Sequence, residues 1–396
     1  MIRSSKLSLK FSNTNKLDKI KDFITEYKRI CQIFINNIWE EKKRTKLVNK
    51  EQTKDINSWL SSRAIQACGK QAAAIVYGTK KKFKQREFAY KELLKKGHYK
   101  KARKLKAFID KNPISLPNLD KVNPELDSRF VNIELDKTNS FDCWISLTSL
   151  GNKLKLRIPL KRTKHFNQLY NVGIMKGGIR LSEKDITFNF DIEEPEIKFD
   201  GKTIGLDIGI KKVFACSDNQ IDKEDKDGWT LSRIQDKLCL RKKGSKGFQE
   251  AVTHRKNFIN WSLNQLNLDD VKTLKLEDIK DVRRGKRSSR YLSHWTYTDI
   301  KSKLGNLCIE HGVQIEYINP KYTSQRCSKC GWVMKSNRKG EQFKCKACGY
   351  ACDADLNASF NISFNLCNIP KGSNNRLGFY WKTLDEEPIV PHALKT

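Results

Sequence analysis

The sequence predicts a protein of mixed architecture. An α-helical segment and a small β-barrel occupy the first half, and an α/β layer with an embedded zinc ribbon occupies the second. Three observations carry this. The spacing of apolar residues alternates between three-and-four and two along the chain; two C-x-x-C pairs lie fourteen residues apart near the C-terminus; and basic residues exceed acidic ones by 78 − 45 = 33.

With 396 residues the chain has room for two to four domains, and its 38% hydrophobic and 10% aromatic content excludes wholesale disorder. No run approaches the roughly 18 apolar residues of a membrane span. The start, Met1 to Lys10, alternates charge with apolar residues and lacks the apolar core of a secretory signal. The expected compartment is therefore the cytoplasm, or the nucleus in a host that has one. A charge of +33 is self-repelling unless a polyanion is bound. Nucleic acid is the expected partner, because each neutralised phosphate releases a counterion. A lysine-rich background or an anionic membrane surface is the bland alternative, and charge by itself does not separate DNA from RNA.

Residues 1 to 10 alternate as a strand does, with Leu7 and Leu9 on one side. From Lys16 the period changes: Leu17, Ile20, Phe23, Ile24, Tyr27, Ile30, Cys31, Phe34 and Ile38 form one face of a long amphipathic helix. A second helical pattern runs from Trp59 and Leu60 through Ala64, Ile65, Cys68, Ala72, Ile75 and Val76. Lys80 to Lys106 then holds thirteen Lys/Arg against Glu87 and Glu92, interleaved with Phe83, Phe88, Tyr90 and Tyr99. A charge run is ordinarily a solvated face; the aromatics and the scarcity of acids favour a helical surface that tracks a phosphate backbone, with Lys95, Lys96, Lys100, Lys101 and Lys104 as its candidate contacts.

Pro113, Pro117 and Pro124 mark Lys111 to Glu125 as a linker. The period is then two, in Val131–Leu135, Phe141–Leu147, Lys153–Ile158 and Ile179–Ile192, which reads as meandering antiparallel strands. A small barrel, joined by the N-terminal strand, would close them without exposed edges. The stretches Glu193–Glu196 and Phe199–Lys202 mark a second boundary.

The chemistry lies beyond it. Asp207 is the one acid in the apolar strand Thr203–Ile210 and sits between glycines, with Val213–Ser217 following as a hairpin partner. Turn chemistry and catalysis are equally open for it at this point. Thr273–Ile279 is a strand ending in Glu277 and Asp278, with helical spacing before it (His254 to Leu268) and after it (Tyr291 to Glu310, Trp295, Ile300, Leu304, Leu307 and Cys308 inward). Val313–Ile318 adds a strand, so the order makes a mixed α/β layer. Asp353–Ile362 opens a last amphipathic helix (Leu356, Phe360, Leu366) with Asp355 in its first turn, where the dipole alone also favours an acid. Brought together, Asp207, Glu277 and Asp355 are what a two-metal phosphodiester site needs, and magnesium suits such hard oxygen donors. The six histidines, His98, His165, His254, His294, His311 and His392, have no metal spacing.

Cys327, Cys330, Cys345 and Cys348 form two C-x-x-C pairs, each followed by a glycine. Four thiolates complete a tetrahedral shell and leave no open position, so the expected zinc is structural. Cys352 reads as a spectator thiol or a competing ligand. Cys31, Cys68, Cys143, Cys216, Cys239 and Cys308 read as buried small hydrophobes in a reducing compartment.

In this order the pieces resemble the TnpB family of transposon-encoded RNA-guided nucleases and the small type V CRISPR effectors similar to them. The residues concerned are Gly205–Gly209, Leu276–Ile279, Pro320–Gly331 leading into the ribbon, and Asp355–Ile362, with Ser359 where the family usually shows Ala. The resemblance is specific from about residue 201 to 366. It implies an RNase H-like (RuvC) nuclease domain over 201–320 and 350–366 with an inserted zinc ribbon over 321–349. Before them it implies a wedge β-barrel over 1–12 and 121–200 and an inserted helical recognition domain over 13–120. The tail, 367–396, matches nothing and is read as disordered or host-specific. The resemblance further implies an RNA-guided DNA endonuclease acting as a monomeric ribonucleoprotein. Asp207, Glu277 and Asp355 would be its magnesium-binding catalytic acids, with guide RNA and target DNA as partners. A compact CRISPR effector with the same chemistry, or an RNA-guided DNA-binding repressor without cleavage, is the rival reading.

Overall fold

A computed structural model describes residues 1–40, 53, 56–135, 140–279, 291, 294 and 296–384. The chain forms two compact units that divide between Glu193 and Glu194.

In the first unit, strand β1 (Ile2–Ser8) leads into helix α1 (Thr14–Trp39), which starts where the Asn13 side chain accepts from the Lys16 N–H at 3.1 Å. Its buried face is Ile20, Phe23, Ile24, Tyr27, Ile30, Cys31, Phe34 and Ile38, together with Ile35. Helix α2 (Ser62–Lys95) is capped by Ser61. Trp59 and Leu60 therefore precede this helix instead of belonging to it, and Leu60 bridges Gly151 in extended form. The basic run continues α2 without a break, because nothing before Gly97 (φ +69°) interrupts it; α3 (Tyr99–Lys111) follows.

Strands β2 (Glu125–Leu126), β3 (Val131–Leu135), β4 (Cys143–Leu147) and β5 (Leu156–Leu160) come next. They are followed by helix α4 (Lys164–Val172), absent from the sequence reading, and by β6 (Gly173–Leu181) and β7 (Asp185–Ile192). They make two sheets, β1-β7-β6-β2 and β3-β4-β5; the N-terminal strand joins the others as expected, and its partner is β7, to which it runs antiparallel. Among the described residues no ladder joins the two sheets, which share one core. Phe188, Phe190, Ile145, Ile158 and the inner face of α1 fill that core, and side-chain packing does what ladder closure would have done.

In the second unit, β8 (Lys202–Asp207) pairs antiparallel with the short β9 (Ala215–Cys216) and parallel with β10 (Val271–Glu277), which pairs parallel with β11 (Gln314–Ile318). The sheet order is β11-β10-β8-β9. Between β9 and β10 lie α5 (Leu231–Leu240), also absent from the sequence reading, and α6 (Lys246–Leu263), which starts and ends before the predicted span. Helix α7 (Tyr297–Glu310) begins after the predicted Tyr291, and Trp295 lies outside the described residues. Ile204, Leu206, Leu274 and Leu276 of the sheet bury against Phe258, Leu263, Ile300 and Leu304 of the helices.

The ribbon strands are β12 (Trp332–Val333), β13 (Arg338–Lys339), β14 (Gln342–Lys344) and β15 (Ala351–Asp353). Helix α8 (Ala354–Ser363) opens where Asp353 accepts from the N–H groups of Asp355 and Leu356. The predicted apolar face of this helix is wrong. Leu356 and Phe360 are only half-buried, whereas Asp355, Asn357, Ala358, Ser359, Asn361 and Ile362 face inward. The reason is polar. Asn357 donates to the Arg326 carbonyl at 2.8 Å and accepts from the Ser328 N–H at 3.0 Å, and Asn361 bonds the Thr323 and Arg326 carbonyls, so the inner face ties down the loop entering the ribbon.

The tail also corrects the sequence reading as far as residue 384. Strand β16 (Phe379–Tyr380) pairs with β12, the Trp381 carbonyl accepts from Arg326 at 2.7 Å, and Trp381 is buried.

Candidate active site

Asp207 ends β8 and Glu277 ends the neighbouring parallel strand β10, so strand direction alone carries both acids to the same edge of the sheet. Asp355 arrives from a different direction, in the first turn of α8. What lets α8 lie across the sheet is Gly205. A Cβ built there would meet the Ser359 carbonyl oxygen at 2.2 Å and the Ser363 nitrogen at 2.4 Å, so helix backbone rests directly on strand backbone.

All three acids line one cleft of about 460 Å³, together with Thr323, Arg338 and Glu341. Asp355 is 8% exposed. Burial, followed by the negative charges of Glu277 and Asp355, pushes the Asp207 carboxyl well above the usual carboxylate range, and Arg338 opposes the shift. Burial also pushes Glu277 up, against the pull of the Thr323 hydroxyl and of Arg338. The Thr323 hydroxyl donates to Glu277 Oε1. Arg338 Nη2 donates to Asp355 Oδ1 at 2.8 Å, and Lys212 Nζ lies 2.6 Å from Asp353 and 3.9 Å from Asp355. Burial and the neighbouring Glu277 and Asp355 charges disfavour the ionised form of Asp207, a strain that a bound cation relieves. All three are carboxylates, the hard oxygen donors that magnesium prefers.

Asp278 is not among the residues lining the cleft; its carboxylate lies 3.9 Å from Lys301. Arg338 and Thr323 were missed at the level of sequence. Arg338 sits between the cysteine pairs on β13, where no periodicity marks it, while Thr323 lies in the quoted stretch before Cys327 and offered only its proximity as a signal.

The four cysteines converge. One sulfur from each lies within 4.8 Å of all the others, with Cys327 to Cys348 at 3.7 Å and Cys330 to Cys345 at 3.6 Å. A tetrahedron with bonds of about 2.3 Å has edges of about 3.8 Å, so these separations suit one zinc ion. Gly331 and Gly349 both take φ +76°, which turns each loop so that their N–H groups reach the Cys327 and Cys345 carbonyls at 2.9 and 3.1 Å. Cys352 lies on β15 opposite Phe343 and is not in this group. Of the scattered cysteines, Cys31, Cys68, Cys143, Cys216 and Cys308 are buried and Cys239 is half-buried.

In the first unit, Lys95, Lys96, Lys100, Lys101 and Lys104 are all exposed, on the end of α2 and on α3. Phe88, Tyr99 and Phe108 are exposed beside them. No described helix is long and apolar enough to cross a membrane.

Residues 297–362 match the family model described as the Cas12f1-like TNB domain, a span from α7 through the ribbon to the end of α8. A Cas12f1 CRISPR-associated endodeoxyribonuclease of Sulfoacidibacillus thermotolerans is 34% identical over 142 residues, 36% of this chain and 31% of that one. A TnpB-like protein of Methanocaldococcus jannaschii is 26% identical over 52% of this chain and 72% of its own. The chain spans between 21% and 43% of the length of three Cas12f1 relatives that it matches. Among solved structures, the mini-RNA-guided endonuclease CRISPR-Cas_phi3 aligns over 91% of this chain and 92% of its own, with 10% identity and a TM-score of 0.42. By its ribbon, and by the sequence around it, the chain is similar to the TnpB/Cas12f-like family.

Proposed function

We propose that this protein is an RNA-guided DNA endonuclease of TnpB type, cutting DNA at the cleft where Asp207, Glu277 and Asp355 meet. The convergence of these three acids from two strand ends and a helix start is the observation that carries the proposal. The names of the relatives, which include a putative RNA-guided DNA endonuclease of Escherichia coli K12, agree with it. Asp207, Glu277 and Asp355 would hold magnesium through carboxylate oxygens, and the metal would supply Lewis-acid activation of water and charge neutralisation at the scissile phosphate. Thr323 orients the Glu277 carboxylate and Arg338 that of Asp355, so both acids present fixed oxygens to the cleft. The four cysteines hold a structural zinc that keeps the ribbon, and with it Arg338, in place.

The first unit is the wedge and recognition part, and it holds guide RNA and heteroduplex. The exposed lysines at 95, 96, 100, 101 and 104 contribute nonspecific phosphate affinity, and base pairing supplies the sequence reading. The ribonucleoprotein acts as a monomer in the cytoplasm. The match of 297–362 to a Cas12f1-like model favours a compact CRISPR effector as the second reading, with the same chemistry at the same acids.

The test is purification with the RNA that copurifies, sequencing of that RNA, and cleavage of DNA carrying a matching target. Asp207→Ala, Glu277→Ala and Asp355→Ala are expected each to abolish magnesium-dependent cleavage while RNA and target binding persist. Cleavage by all three variants overturns the proposal.

A further inference from the structure

Lys275 is 3% exposed, on β10, two residues before Glu277 and on the same face of the strand. Its ammonium does not turn toward the acids. It donates to Asn365 Oδ1 at 2.5 Å and to the Phe364 carbonyl at 3.5 Å, and the Glu316 carboxylate lies 4.0 Å away on the paired strand β11. Phe364 is the C-cap of α8, so the buried cation sits at the negative end of the helix whose first turn carries Asp355. Lys275 is also in register with Gly205, the residue on which the α8 backbone rests.

Helix α8 is thus held at its start, middle and end, in addition to the Asn357 and Asn361 bonds to the Thr323–Ser328 loop. Lys212 holds Asp353 at its start, Gly205 takes its backbone at Ser359 and Ser363, and Lys275 holds its end. Lys275 adds a contact at the C-terminal end of the helix, through the Phe364 carbonyl and the Asn365 side chain. One short stretch of β10 therefore presents Glu277 to the cleft and, two residues earlier, grips the far end of the element that presents Asp355. An ammonium there gains partners in a carbonyl, an amide oxygen and a carboxylate, which is why it tolerates burial.

We propose that Lys275 is a positioning residue for the metal-binding cleft, acting through α8 on the distance between Asp355 and the strand acids Asp207 and Glu277. The inference rests on the nuclease reading, and its test keeps the two separable. Lys275→Met retains the length of the buried chain and removes the ammonium; Asn365→Leu removes the acceptor and leaves the lysine. Both are prepared as the full chain with its copurified RNA, and zinc content and melting temperature verify that each is folded. Manganese binding is followed by electron paramagnetic resonance, and DNA cleavage by magnesium titration.

Each variant is expected to weaken manganese affinity and raise the magnesium needed for half-maximal cleavage by about 10- to 100-fold, as removal of a group that orients metal ligands does. Saturating magnesium restores much of the rate. The two substitutions together are expected to cost little more than either one, because they break the same contact. A merely structural role would lower melting and leave the magnesium requirement unchanged. If a folded Lys275→Met or Asn365→Leu protein binds manganese and responds to magnesium as the parent does, the proposal is wrong, while the nuclease reading stands on Asp207→Ala. If Asp207→Ala, Glu277→Ala and Asp355→Ala all cleave as the parent does, the nuclease reading fails, and unchanged or weakened manganese affinity in Lys275→Met still decides the role of Lys275.

Discussion

Replacing Gly205 with alanine tests how Asp355 reaches the cleft. The added Cβ would stand 2.2 Å from the Ser359 carbonyl oxygen, 2.4 Å from the Ser363 nitrogen and 2.8 Å from the Ile362 carbonyl carbon, all of them backbone atoms of α8 or its C-terminal turn. No rotamer relieves such contacts. Ordinary contact begins at 3.4 Å, so the helix must lift by about 3.4 − 2.2 = 1.2 Å. Overpacking of this kind costs about 1–3 kcal/mol. For a unit of this size that lowers the melting temperature by roughly 2–12 °C. The same displacement carries Asp355 away from Asp207 and Glu277, and misplacing a reacting geometry by about 1 Å costs on the order of 100-fold in rate. The assay is scanning fluorimetry of the ribonucleoprotein alongside its single-turnover cleavage. Gly78→Ala is the control: a Cβ there meets nothing within 4 Å, in the interior of α2, and should stabilise by about 1 kcal/mol. A Gly205→Ala protein that melts and cuts like the parent would refute the claim that helix backbone rests on strand backbone at this residue.

Three further outcomes are expected. Cys330→Ser or Cys345→Ser should lower zinc content and melting temperature together, measured by metal analysis and fluorimetry, because binding and folding of the ribbon are coupled. Glu277→Ala should abolish cleavage while Asp278→Ala stays mild, since only Glu277 lines the cleft; the reverse pattern would mean that the strand register is displaced by one residue. Exchanging Lys95, Lys96, Lys100, Lys101 and Lys104 for glutamine should flatten the dependence of log RNA affinity on log salt, by about 0.7 for each lysine that touches phosphate. An unchanged slope would make that surface a solvated face.

The chemistry was legible where it depends on residues close in the chain. Two C-x-x-C pairs and the glycine after each determine a four-sulfur cluster, because ligand spacing and the left-handed turn are local requirements. Periodicity determined the inner face of α1, the strands β1, β3, β4, β5 and β7 of the first unit and β8, β10 and β11, since burial on one side is written directly into spacing; it missed β2 and the start of β6. Asp207 and Glu277 were singled out in the sequence by the motifs around them, Gly205–Gly209 and Leu276–Ile279, but the sequence placed Asp207 within a strand through Ile210, and the structure ends that strand at Asp207. Tertiary structure decided what depends on residues far apart. A lone basic residue carries no pattern, so Arg338 was invisible until the ribbon folded over Asp355. The inward face of α8 is amide and small residues because its partners are carbonyls of another loop, which inverts the apolar rule used to read it. The two sheets of the first unit are joined by side-chain packing that strand spacing does not encode. Short-range geometry and one-sided burial are properties of a sequence, whereas the seat of α8 on Gly205 and the grip of Lys275 on its end exist only once separate elements have been brought into contact.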